Sequence, residues 1–386
     1  MARAERKAII EKLQEHRKSK VIAYVTGDRS PIAAQIADDV IRPLYEHIRE
    51  LGHVEKIDLF IYSRGGAIDV PWRIVSALRH ASDTWSVLIP FRSNSAATLI
   101  ALGADKIVMG PQGELGPIDP TISTRRVMGA PPNGQPTVVQ DSVSVEDAMA
   151  FVRFAQNRVG LSDQSALAAS LEKLIERIDA VSLGNVYRTH SHIRDVARRI
   201  LLSQKKPPKE QTLATIVETL AERVYAHDHA VELKDAIEIG LDAVAADDVE
   251  NPLMWDLLLE YEQAMKVREP VDPVSKVASS NLYSEPAIIS MMESEVAVHE
   301  LTGDLEVRAK RQMPTNLSVS VNVTLNLPAG VNAAQLNQQV LQQVVQTANQ
   351  AAAAAATQSV YQALQQQAPI IAAEPAFRNG IWKRSP

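Results

Sequence analysis

Two short apolar runs, Trp85–Pro90 and Lys106–Met109, bracket the stretch that most restricts how this chain can fold. Each has the length and β-branched content of a buried strand. Between them Arg92-Ser93-Asn94 marks a polar turn, and Ser95 opens a segment of small and apolar residues, Ala96 to Leu102, that reads as a buried helix. The same order recurs upstream. Lys56–Tyr62 reads as a strand, Ser63-Arg64-Gly65-Gly66 as a turn, and the residues to about His80 as a helix. Val21–Val25 is a further strand, and Pro31 suits the first turn of a helix reaching about Leu51. Strands alternating with helices in this way predict a βα-repeating core.

A serine at the first turn of a helix is first of all a helix cap. The sharper reading makes Ser95 a nucleophile whose neighbouring amides stabilise an oxyanion. Position alone favours the cap. The Gly-Gly pair tips the balance, because glycines at a strand exit let backbone N–H groups approach a ligand closely.

The order of strand, Gly-Gly, helix, strand, Ser-small-small, helix and strand, followed by Leu115-Gly116-Pro117-Ile118-Asp119-Pro120, resembles the Clp-type and signal-peptide-peptidase serine proteases of the Clp/crotonase fold. Within that group it is most similar to the serine dehydrogenase proteinase family, whose motifs run Ser-Arg-Val-Ile, Thr-Pro-Gly-Gly, Ser-Ala-Gly-Thr and Leu-Gly-Pro-Ile-Asp-Pro. The matching residues are Ser19-Lys20-Val21-Ile22, Ser63-Arg64-Gly65-Gly66, Ser95-Ala96-Ala97-Thr98 and Leu115 to Pro120. Arg64 stands where the family has proline, and Ala97 where it has glycine. The likeness covers roughly residues 18 to 262. It implies an α/β fold, a Clp/crotonase-like ββα superhelix with a helical extension. It also implies Ser95 as nucleophile, with the backbone N–H groups of Gly66 and Ala96 forming the oxyanion hole. Alanine at position 97 is compatible with that hole if its φ stays negative.

The base is harder to place. Clp-type enzymes carry a histidine in the stretch matching Gly116 to Pro120, and here none is present. Counting back from Gly240-Leu241, Asp228 falls where those enzymes carry the triad aspartate, with nothing to orient. Signal peptide peptidases use a lysine in a Gly-x-Tyr-Lys run. The nearest match, Gly184-Asn185-Val186-Tyr187-Arg188, ends in arginine, which stays protonated. Lys173 is the only lysine between Lys106 and Lys205 and is the predicted base. It needs a depressed pKa for that task, and it lies opposite the apolar stripe of its own helix, where a solvated lysine belongs. His190, His192, His227 and His229 are the other candidates.

The rest of the chain bounds the function. Residues 121 to 143, rich in Gly, Pro, Thr and Gln, read as an exposed loop or flap. Beyond about Val267 a charged, poorly periodic stretch reads as a linker with short helices. Leu317, Val319, Val321, Val323, Leu325 and Leu327 alternate as a half-buried strand does, and the Gln/Ala-rich residues 331 to 368 read as a long helix. The expected divisions are an N-terminal helix (1–20), the Clp/crotonase-like core (21–262), the linker (263–315) and the C-terminal strand and helix (316–386). A net charge of −6 with mixed signs argues against general nucleic-acid binding. The chain has no cysteine, hence no thiol nucleophile or thiolate metal site. No cofactor is expected. Met1 to Lys20 lacks the apolar core of a signal peptide, and no apolar run approaches the ~20 residues of a membrane span. There is no GxxxxGK[ST] loop for an ATPase.

Together these features predict a cytoplasmic, ATP-independent serine peptidase acting on peptides or proteins. It is expected to self-associate into trimers or hexamers through the C-terminal segment. Two alternatives stand beside it: a Clp-fold scaffold that has lost its base, and a crotonase-type acyl-CoA enzyme using the same oxyanion hole without a nucleophile.

Overall fold

The computed structural model describes residues 3–118, 121–128, 137–144, 154–161, 163–175, 180–223, 230–312, 317, 319–324, 326 and 337–385. In chain order the strands are β1 (Lys20–Thr26), β2 (Val54–Tyr62), β3 (Ser82–Ile89), β4 (Arg92–Ser93), β5 (Lys106–Met109) and β6 (Glu114–Leu115). They continue with β7 (Thr121–Met128), β8 (Thr137–Ser144), β9 (Ala243–Ala245), β10 (Leu282–Ser294), β11 (Val298–Arg311) and β12 (Ile370–Ser385). The first four helices are α1 (Arg3–Arg17), α2 (Ile41–Leu51), α3 (Val70–Ala81) and α4 (Ala96–Ala101).

Strands β1, β2, β3, β5 and β9 lie parallel in that order, and β10 runs antiparallel on the other edge of β1, with Ile22 opposite Ser294. Both faces of this sheet are covered. Ile22, Tyr24, Leu59, Ile61, Val87 and Ile89 pack beneath α2, α3 and α4. Val21, Ala23, Val25, Phe60, Tyr62 and Leu88 pack against α1 and the helix Glu250–Ala264. A parallel sheet buried on both sides needs apolar residues at every position, which is why its strands read as unbroken apolar runs.

After β3 and β5 the chain turns into the two-residue strands β4 and β6, which pair with each other. Past β2, Ser63 bridges Ser93 in the same small layer. This is the expected ββα repeat, and it brings the ends of β2, β3 and β5 together at one edge.

The chain divides into two compact units. Met1–Pro270, Ala287–Gly303 and Gly380–Pro386 form the first; Val271–Pro286 and Asp304–Asn379 form the second. The stretch read as a linker thus holds the long strands β10 and β11. Their charges concealed the strand pattern. Glu293 is nonetheless fully buried, because Arg6 Nε donates to it at 2.5 Å and the Tyr261 hydroxyl at 3.2 Å. Residues 121 to 143, read as a loop, include the ladder of β7 and β8, Thr121 opposite Ser144. The β-branched content of Thr121, Ile122, Thr124 and Val127 and of Thr137, Val138, Val139 and Val143 was the signal for it.

In the second unit a 30-residue helix spans Gln338–Gln367. The alternating stretch before it joins no ladder among the described residues. Val319, Val321 and Val323 are half-buried and the residues between them exposed, with Val323 N–H donating to Asn349 Oδ1 at 2.5 Å. Leu325 and Leu327 lie outside the described residues.

The N-terminal helix is tied into the core by charge. Asp58, fully buried in β2, accepts from Arg17 Nε at 2.5 Å and Nη2 at 3.1 Å. On α2, His47 is fully buried. Its Nδ1 lies 2.7 Å from Ser294 Oγ and its Nε2 3.0 Å from His299 Nδ1, while His299 Nε2 meets Glu46 Oε2 at 3.0 Å. Burial first, and the adjacent His299 second, bring the His47 imidazole down to about 4. An unfolded histidine titrates near ~6.5, so the unfolded chain binds the extra proton between the two values. Stability is therefore complete above that window and falls as pH drops through it, by on the order of 3 kcal/mol. The expected result is a melting temperature that declines from pH 6.5 toward 4 and declines less steeply in His47→Asn. Parallel curves for the two proteins would refute it.

Candidate active site

Ser95 sits where β4 gives way to α4. Its backbone is at φ 52° and ψ −113°, a conformation that L-residues with a side chain rarely hold because Cβ crowds the neighbouring peptide. Its side chain makes no capping hydrogen bond to α4. The cap reading therefore fails, and the hydroxyl is not committed to the helix it precedes.

Two neighbours hold this turn. Thr98 Oγ1 donates to Ser93 O at 2.6 Å and accepts from Gly116 N–H at 3.1 Å, which ties the serine turn to the segment beyond β6. Ser63 Oγ accepts from Gly65 N–H at 3.0 Å and is itself fixed by Thr26 Oγ1 at 2.8 Å. Sequence reasoning quoted Ser63 and Thr98 as motif residues without seeing these tasks. Thr26 carried no signal at all.

The glycine loop and the serine turn touch. Gly65 has φ 108°, and a Cβ placed there would stand 2.7 Å from Ser95 Cβ. Gly66 lies against Ile36: Ile36 N–H donates to Gly65 O and Ala67 N–H to Ile36 O, each at 2.8 Å. Backbone and side-chain acceptors thus occupy the N–H groups of Gly65, Ala67 and, through Asn94 O, Ala97. Those of Gly66 and Ala96 have no acceptor among the described residues. Ala96, next to the serine, is the first residue of α4 and carries one of that helix's orphan donors, and Gly66 directly follows Gly65, which stands against Ser95.

The two departures from the family pattern are accommodated. Arg64 reaches away to Asp28, Nε to Oδ2 at 2.5 Å, where the Tyr62 hydroxyl also donates at 3.0 Å. Burial and Asp28 raise that hydroxyl's pKa, so it remains a donor. Ala97 is helical and fully buried, so a methyl group fits where the family has glycine.

The predicted bases are spread differently. Ile118 is fully buried and its N–H donates to Leu220 O at 3.0 Å. Asp119, His227, Asp228 and His229 lie outside the described residues. Lys173 falls in the helix Gln164–Ile175, with its side chain outside what is described. His190 and His192 lie on the helix Ala180–Leu202. His192 Nε2 meets Asp69 Oδ1 at 2.7 Å, a pair that spacing in the sequence did not reveal.

Cavities of about 560 Å³ beside Arg6 and Glu300, and about 630 Å³ beside Val323 and Leu341, include neither Ser95 nor the glycines. Among the described residues His16, Asp247 and Glu250 bring three ligand atoms within 4.8 Å of one another. That grouping is already spent on a His16–Asp247 pair and on an ion pair from Glu250 to Arg17. No helix among the described residues is long and apolar enough to cross a membrane.

Residues 1–132 match the ClpP-like SDH-type serine proteinases. That segment contains both loops, so the resemblance read from Gly65-Gly66 and Ser95 to Thr98 holds there. An uncharacterized protein of Methanocaldococcus jannaschii is 26% identical over 272 residues, 68% of this chain and 81% of that protein. A second uncharacterized protein of the same organism is 30% identical over 119 residues, 29% of this chain and 41% of that one. Two solved structures of mutants of the 1510-N membrane-bound stomatin-specific protease, one of them in complex with a substrate peptide, are also similar. They show 17% and 16% identity and TM-scores of 0.31 and 0.32, and the match covers 64% of this chain and 82% and 87% of theirs.

Proposed function

We propose that this chain, whose first 132 residues match serine proteinases, cleaves peptide bonds through an acyl-enzyme on Ser95. The observation that carries the reading is the Ser95 backbone. It is held at positive φ beside Gly65, with a hydroxyl that caps nothing. Ser95 Oγ adds to the scissile carbonyl, and the oxygen that becomes negative is met by the N–H groups of Gly66 and Ala96. Donors fixed before charge develops are effective, and each is worth ~10²–10³ in rate. Labelling of the full chain by a fluorophosphonate probe tests the reading, since only an activated serine is phosphonylated. An adduct located on Ser95 by mass spectrometry is expected, and its absence overturns the proposal. The same reading has the enzyme act in the cytoplasm and without nucleotide hydrolysis, so added ATP leaves turnover unchanged. Lys173, on the helix Gln164–Ile175, is the base in this reading: Lys173→Ala is expected to lose at least ~10² in labelling rate, and an unchanged rate removes it from the role while leaving Ser95 in place.

Self-association into trimers or hexamers belongs to the same proposal. From Gln312 to Ala373 the chain carries no charged residue or histidine. Along the helix Gln338–Gln367, Val340 is 55% exposed and Val344, one turn on, is 48% exposed. An uncharged helix with an apolar stripe is suited to a second copy of itself. Truncation would not test this cleanly, because Trp382 Nε1 donates to Asp39 Oδ2 and Arg384 pairs with Glu50 within the first unit. Light scattering is expected to give an oligomer for the full chain and a smaller species for Val340→Gln/Val344→Gln. A monomeric full chain at micromolar concentration removes the idea.

A further inference from the structure

We propose that the Ser63 hydroxyl, anchored by Thr26, is the positioning group of the oxyanion hole. It sets where the Gly66 N–H stands relative to Ser95. This rests on the peptidase reading above.

Ser63 bonds both loops of the site. Its main chain is registered on the serine turn: its N–H donates to Arg92 O and its carbonyl accepts from Asn94 N–H, each at 3.0 Å. Asn94 immediately precedes Ser95. The side chain turns to the glycine loop instead, where Oγ accepts from Gly65 N–H at 3.0 Å. A hydroxyl that accepts from the N–H two residues on closes a turn and restricts the residue between them, here Arg64. The spacing between the glycine loop and the serine turn therefore passes through this one residue.

The direction of the Gly66 N–H follows from the peptide that carries it. Gly65 O accepts from Ile36 N–H at 2.8 Å, so this carbonyl points at Ile36. The Gly65–Gly66 bond is trans, and in a trans peptide the N–H and the carbonyl point opposite ways. Gly66 N–H consequently points away from Ile36. Gly65 itself stands against the nucleophile and the second donor: a Cβ there would lie 2.7 Å from Ser95 Cβ and 3.2 Å from Ala96 N. The aim of the Gly66 donor thus depends on how the two ends of Gly65 are held. Ile36 holds the carbonyl through its backbone, and Ser63 holds the N–H through a side chain.

The hydroxyl is itself fixed. Ser63 is fully buried and Thr26 is 1% exposed, with Thr26 Oγ1 at 2.8 Å from Ser63 Oγ. Val25 and Tyr62, the residues before them, are opposite each other in the parallel pairing of β1 and β2. The pair of hydroxyls is therefore seated on the sheet, not on the loop it restrains. Donors act on a developing oxyanion to the extent that they are fixed beforehand, and this one is fixed from the core outward.

A buried serine that only satisfied an amide would change stability and nothing else. A positioning serine changes the step in which the oxygen becomes negative, and leaves the preceding encounter alone. Fluorophosphonate labelling of Ser95 in the full chain separates the two, because its concentration dependence gives a reversible constant, Ki, and a bond-forming rate constant. Ser63→Ala is expected to lower the bond-forming constant by at least ~10², the worth of one donor, with Ki close to wild type. Ser63→Thr keeps the hydroxyl and is expected to retain most of the rate. If the alanine variant fails to fold, Thr26→Val decides in its place. It keeps the volume, removes the anchor and is expected to be slowed by roughly 10- to 10²-fold through misplacement. A wild-type bond-forming constant in the deciding variant overturns the assignment and leaves Ser95 in place. So does a loss confined to Ki or to melting temperature, or an equal loss in Ser63→Thr and Ser63→Ala. Absence of any Ser95 adduct in wild type overturns the positioning role and the peptidase reading together.

Discussion

Ser95→Ala removes fluorophosphonate labelling and lowers peptide cleavage by on the order of 10⁵–10⁶, the loss usual for a catalytic nucleophile, with little change in unfolding free energy. The second half of that expectation separates the two roles a serine can hold at a helix start. A capping serine replaced by alanine costs about 0.5–2 kcal/mol, because an N–H of the first turn loses its acceptor. Ser95 makes no such bond, and alanine keeps the same φ of 52° with the same steric burden. Ser95→Gly sharpens the contrast. Glycine accepts positive φ without a Cβ clash, so it is expected to raise stability by about 1 kcal/mol while being as inactive as alanine. Urea titrations of the three proteins, read beside their labelling, check this. A clear drop in stability for alanine with labelling retained returns Ser95 to the cap.

The glycine pair carries the next largest effect. A methyl group at Gly65 would stand 2.7 Å from Ser95 Cβ and 2.8 Å from Asn94 O, at a φ of 108° that alanine resists. Gly65→Ala must push the serine turn away from the oxyanion donors. Its labelling rate is expected to fall by at least ~10², the worth of one such donor. Gly66 differs. A Cβ there would come within 2.2 Å of Ile36 O and 2.5 Å of Ile36 N, both backbone atoms. The sequence alone suggests that a side chain at 66 would abolish activity and spare the fold. The bridge to Ile36 makes that separation impossible. Gly66→Ala is expected to lower stability by about 1–3 kcal/mol as well as activity. Denaturation midpoints measured with the labelling rates decide it: a Gly66→Ala protein as stable as wild type contradicts the bridge.

What could be read from sequence follows a physical division. The parallel core announced itself because strands buried on both faces must be apolar throughout, and the turn motifs are local in the chain. Ser95, Gly66 and Ala96 were proposed from such local signals. β10 was hidden because Glu285, Glu293 and Ser294 interrupt any period, and what makes Glu293 tolerable is Arg6, far off in the chain. The base was named by elimination among lysines, a criterion with no geometry in it, and the Lys173 side chain lies outside what is described.

The pairing of β1 with β10 has a consequence for how this chain is made. Thr26 and the Ser290 it faces are separated by more than 260 residues. At ~5–20 residues per second, a ribosome needs tens of seconds to deliver the second strand after the first. Throughout that interval β1 can dock on β2, but its other edge, from Ile22 to Thr26, stays open. An unpaired apolar edge is a template for pairing with another chain. Crowded polysomes are then the most hazardous place this protein occupies, and sparse initiation of translation with a holding chaperone is the condition under which soluble yield is greatest.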